Sequence, residues 1–77
     1  MGVSSVTSID TTYSLRLDEP SSTELYVGEA SIGADETLAV WRIKKLVTAG
    51  MTISILWADG NQAFDNVWSN HLTLLYK

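Results

Sequence analysis

The run "MTISILWAD", residues 51–59, sets Ile53, Ile55 and Trp57 on one side of the chain and Thr52, Ser54 and Leu56 on the other. A period of two, with β-branched and aromatic residues at the alternate positions, is the pattern of a strand. Tyr13, Leu15 and Leu17 repeat it against Ser14 and Arg16, and "TELYVGEA" sets Leu25 and Val27 opposite Tyr26. The chain is therefore expected to be all-β.

Turn signals divide these strands. Pro20 in "DEPSS" is expected to end the first, because proline cannot donate to a ladder. "SIGADET" reads as a turn around Gly33, and "AGM" as a short hairpin link. Residues 38–48, "LAVWRIKKLVT", satisfy two grammars. Asp35 as a cap, Lys44 and Lys45 in a last turn and Gly50 as a stop would suit a helix. Val40, Trp41, Ile43, Val47 and Thr48 favour a strand, and strand is the reading adopted. "HLTLLYK" is expected to close the chain as the last strand. The result is a small single-domain antiparallel sandwich or barrel of about five strands over residues 13–77. An extended N-terminal arm is expected over residues 1–12, rich in Ser and Thr and laid against a neighbouring chain.

Seventy-seven residues form a core only marginally sufficient alone, and without cysteine neither disulfides nor a thiolate metal site can supplement it. Stabilisation by neighbouring copies, as a homo-oligomer, is expected. The net charge of −4 is unevenly spread. In residues 1–38 seven acids against Arg16 leave −6, and in residues 39–77 four bases against Asp59 and Asp65 leave +2. No basic stripe suits nucleic acid. Opposite signs in the two halves suit either strand pairing within the chain or head-to-tail contact between chains. No run approaches the roughly 18 apolar residues of a membrane span, and no signal peptide is expected.

The stretch "WADGNQAFDNVW", residues 57–68, holds the best candidates for a site. Asp59, Asn61, Asp65 and Asn66 could offer oxygens to calcium, but their spacing is not that of an EF-hand. Asp59-Gly60 equally signals a turn, with Gly60 at positive φ, and a structural turn without metal is the reading adopted. Trp57, Phe64 and Trp68 could form a sugar-stacking platform, yet aromatics in so small a domain, Trp41 among them, are expected in the core. His71 stands beside no nucleophile and is expected at the surface or a strand edge. Adjacent on a strand, Asp18 and Glu19 point to opposite faces and make no carboxylate pair. No enzymatic activity and no cofactor are expected.

The pieces "LRLDEPSSTELYVGEASIGADETLAVWRIKKL" and "WADGNQAFDNVWSNHLTLLY" resemble a family of small, mostly uncharacterised proteins of tailed bacteriophages. The resemblance rests on Asp18 and Glu19, residues 26–30, Trp41 to Ile43, Trp57 to Gly60, and Phe64 to Trp68. It implies a virion protein made in the host cytoplasm, with partners among its own copies and other capsid or tail proteins. Under it, residues 57–68 become a structural clasp. Trp57, Phe64 and Trp68 would anchor a polar loop to the core, and Asp59, Asp65 and Asn66 would satisfy its amides.

Overall fold

The computed structural model describes residues 12–77, so the arm expected over residues 1–12 lies outside the described residues, Thr12 excepted. Five antiparallel strands form one sheet: β1 (Ser14–Ser21), β2 (Glu24–Ala30), β3 (Ala39–Ala49), β4 (Thr52–Trp57) and β5 (Asn66–Val67). The first four lie side by side in chain order, and β5 pairs the start of β3, Trp41 with Asn66 and Ala39 with Val67.

Residues 39–48 are strand, not helix, and Leu38 is a bend before them. Asp35 instead accepts the Thr37 N–H at 2.8 Å and its hydroxyl at 2.7 Å, an Asx turn leading into β3. Those bonds, the backbone one first, hold the Asp35 carboxyl below the usual carboxylate range. Gly50 and Met51 join β3 to β4, with Ala49 opposite Thr52. Gly50 has φ +63°, as the first central residue of a type II′ hairpin turn requires.

Two expectations fail. Pro20 does not end β1, which continues through it to Ser21 while the ladder slips between Asp18 and Ser21. On an edge strand a proline sacrifices no inner hydrogen bond, and a bulge absorbs the irregularity. Nor is "HLTLLYK" a full strand: residues 71–73 are turn, and Tyr76 alone bridges, to Ala58. Leu72, Leu74, Leu75 and Tyr76 do not keep a period of two, so no single register buries them. The fifth strand is β5, inside the 57–68 stretch.

Register assigns the faces. Arg16, Asp18, Tyr26, Gly28, Ala30, Trp41, Ile43, Lys45 and Leu56 share one face. The chain after β5 folds back across it, and Tyr26, Ala30, Trp41, Ile43, Ala58 and Trp68 form the core, with Leu74 and Tyr76 against it. Trp41 is wholly buried, and its Nε1–H donates to the Asp35 carbonyl at 3.0 Å. Gly28 makes the closure possible. A Cβ there would lie 2.5 Å from Cε3 of Trp68, whose ring centroid is 6.2 Å from that of Trp41.

The other face carries Leu15, Leu17, Leu25, Val27, Leu46, Ile53, Ile55 and Trp57, with Glu29, Arg42, Lys44 and Thr48 among them. Leu25 is buried on this face but stands outside the core cluster. At one end of this face Tyr13 and Phe64 lie over Arg42. Towards the β3–β4 hairpin, Ile53 and Ile55 remain 50% and 54% exposed.

Candidate functional site

The 57–68 stretch runs from one face of the sheet to the other. Trp57 ends β4 on the open face, opposite Lys44, whose ammonium is 5.4 Å from the ring. Ala58 is buried, and Asp59 (φ +60°) and Gly60 (φ +74°) then turn the chain. The Gly60 N–H donates to the Trp57 carbonyl at 2.9 Å, and the Asp59 N–H to the Leu75 carbonyl at 2.7 Å. Positive φ at Gly60 agrees with the turn reading, and Asp59 shares it.

The one backbone amide of this loop seen bonded to a loop side chain is served by an asparagine, not by an aspartate. Asn61 Oδ1 accepts the Ala63 N–H at 2.9 Å, while Asp65 Oδ1 takes only the Asn66 side-chain amide at 3.2 Å. Asn66 is buried and paired in β5. Of the three expected anchors, only Trp68 reaches the core. Trp57 and Phe64 lie on the opposite face, because β4 parity sends Trp57 there and Phe64 follows Arg42, 4.7 Å from its ring. Tyr13, Trp57 and Phe64 converge on that guanidinium, which also pairs with Glu29 at 3.0 Å. Trp68 therefore shares no platform with the other two. Among the described residues, no group of three or more His, Cys, Asp or Glu side chains is placed to hold a metal.

His71 is the residue that sequence reasoning missed. A 3-10 turn spans Trp68–Asn70, and in that geometry side chains three apart eclipse one another. Trp68 and His71 stand in that relation, and their rings stack 4.0 Å apart at 6°. The His71 Nδ1–H donates to the Trp68 carbonyl at 2.8 Å, and Nε2 meets Asp18 Oδ2 at 2.7 Å. The Tyr26 ring packs edge-to-face with the His71 ring, centroids 5.2 Å apart, and the Tyr76 hydroxyl donates to the His71 carbonyl at 2.7 Å. Both ring nitrogens are thus committed to structural partners, whereas a general base needs one free to take a proton. The "WxxH" spacing was the available signal. Burial first, then the neighbouring Tyr26 and Asp59, push the Tyr76 phenol above its ordinary value.

The charge asymmetry is used within the chain. Glu24 and Glu29 of β2 pair with Lys45 and Arg42 of β3, each at 3.0 Å, and Arg16 pairs with Glu36. Glu24, Glu29 and Glu36 are thereby matched within the chain.

Fold and surface together define a class: a single-sheet all-β domain with one face covered by its own chain and the other carrying partly exposed apolar rows around Glu29, Arg42 and Lys44. Comparison with protein-family models gave no match, and neither the curated proteins nor the solved structures gave one. Among the described residues, no helix is long and apolar enough to cross a membrane.

Proposed function

We propose that this protein is a non-enzymatic structural subunit of a bacteriophage virion, working as a homo-oligomer. Within that class it is a capsid decoration or cement protein, with a tail- or fibre-associated subunit as the neighbouring alternative. It is made in the host cytoplasm and carried in the particle. The observation that carries the reading is which face stays open. The most regular alternation in the sequence (Leu15 and Leu17, Leu25 and Val27, Ile53, Ile55 and Trp57) falls on the face opposite the core. A strand's alternate apolar positions normally mark the side it buries, so this side is built to be covered by a neighbour. Covering the half-exposed Ile53 and Ile55 alone would contribute on the order of 1–3 kcal/mol. The phage setting comes from the sequence resemblance.

Quantitative mass spectrometry of purified particles tests the proposal. Hundreds of copies per particle support a decoration protein, a few to dozens support a tail part, and absence from particles overturns both.

The half-exposed aromatics around Arg42 favour a second reading, a phage-encoded binding module for a host protein or glycan. It ranks second because the guanidinium already sits 4.7 to 5.9 Å from the Phe64, Tyr13 and Trp57 rings, taking up surface on which a sugar would stack. Glycan-array binding that is lost in Trp57→Ala would reverse the order.

A further inference from the structure

We propose that two copies of this chain join through the outer edge of β4, strand to strand and antiparallel, into one sheet running from the β1 of one copy to the β1 of the other. The inference rests on the homo-oligomer reading and names its contact.

Parity exposes the edge. The Trp57 N–H donates outward to the Lys77 carbonyl at 3.2 Å, and the Lys77 N–H returns to the Trp57 carbonyl at 3.1 Å. Backbone groups on an antiparallel strand alternate in direction, so those of Ile55 and Ile53 also point away from β3. Among the described residues they meet no partner strand, since β4 ends the ordered row. Their side chains are the half-exposed isoleucines of the open face.

Edges of soluble sheets are normally guarded by charge, proline or a bulge. β1 has all three: Arg16, Asp18, Glu19, Pro20 and the slip after Asp18. β4, "TISILW", has none of them. A head-to-tail joint of β4 to β1 would meet that guarded edge and propagate as an open filament, whereas β4 to β4 closes as a two-fold dimer.

The unguarded window is self-complementary. With the two-fold axis at Ser54, Ile53 of each copy faces Ile55 of the other, and the outward groups of both residues exchange hydrogen bonds. The four isoleucines then form one row on the open face. The two-fold sets Thr52 to Leu56 of each copy opposite the same five residues of the other, between the Gly50–Met51 turn and the Trp57–Lys77 pair. Charge selects the same arrangement. The two acid-rich β1 edges end up seven strand spacings apart, roughly 34 Å, well beyond a Debye length of about 8 Å.

The test combines sedimentation equilibrium with amide exchange on the full chain over a range of concentrations. The expected result is a reversible dimer in which exchange at Ile53 and Ile55 slows as concentration rises. Ile55→Pro removes an outward N–H without breaking the β3 ladder and should leave a monomer. Ile55→Lys, which restores an edge charge and keeps the backbone donor, should do the same should the proline variant not fold. Leu17→Lys, on the same face but the far strand, should still dimerise. Three results would overturn the proposal: dimerisation unaffected by both Ile55 variants, loss of dimer only in Leu17→Lys, or protection of these amides in the monomer. The larger reading fails separately. A β4-linked dimer absent from purified particles defeats the virion role, whereas an abundant particle protein with fast-exchanging β4 amides defeats the edge contact.

Discussion

At the scale of single residues, Gly28 shows how one missing side chain decides a core. Its place on β2, facing Trp41 and Trp68, leaves the indole of Trp68 no room for a methyl group. Gly28→Ala should therefore force Trp68 out of its seat and destabilise the fold by about 1–3 kcal/mol, the usual cost of overpacking. In a domain of this size that lowers the thermal midpoint by roughly 4–8 °C per kcal/mol. A double-mutant cycle isolates the cause: in a Trp68→Leu background, Gly28→Ala should cost far less. Equal cost in both backgrounds would mean the clash is not the reason. The sequence offered no hint of this, because a glycine inside "YVGEA" reads simply as a weak strand position. His71 was hidden for a related reason: its partner Asp18 lies 53 residues away, and only the fold brings the two together.

At the scale of elements, the sequence was most legible where alternation was strong. β1, β2 and β4 follow directly from period two, and the β-branched content of β3 outweighed its helix-like ends. What alternation could not disclose was which side was the core. The regular apolar rows mark the open face, while the core face is written in mixed residues: Arg16, Tyr26, Gly28, Trp41 and Lys45. β5 has only two residues, too short for any period, and its formation depends on the turn at Asp59 and Gly60 bringing it back to β3. Hairpin chemistry was readable. Gly50 has no neighbour within 4 Å of where a Cβ would stand, so Gly50→Ala meets no clash and costs only its backbone conformation, about 1 kcal/mol. Chemical denaturation should report that loss with an unchanged m-value. A loss above about 3 kcal/mol would show that the turn does more than reverse the chain.

At the scale of the whole molecule, stability should fall at both extremes of pH through titrations at known places. On the acid side, the Lys45 hydrogen bond first, then its charge, holds Glu24 below the carboxylate range, and Thr37 does the same for Asp35. A depressed carboxylate contributes stability that is present above its unfolded value, near pH 4, and is lost as pH falls through the folded value. On the alkaline side, the bond to Glu24 raises Lys45, and burial raises Tyr76. Raised groups contribute fully below their unfolded values, near pH 10, and that contribution is lost as pH rises further. Lys45 and Tyr76 act at one place, the ammonium lying 6.0 Å from the Tyr76 ring and 5.4 Å from Tyr26. The thermal midpoint, followed by tryptophan fluorescence, should therefore fall as pH drops below about 4 and again as it rises above about 10. Tyr76→Phe should make the alkaline fall shallower and leave the acid one in place, even though losing the hydroxyl's bond to His71 lowers the whole curve. Glu24→Gln should weaken both falls, because it removes one carboxylate and the partner that raises Lys45. Since Glu24 and Lys45 are solvent-accessible, 0.5 M salt should shrink their share. An alkaline limb identical in Tyr76→Phe and the parent chain would show that the partly buried phenol does not govern it.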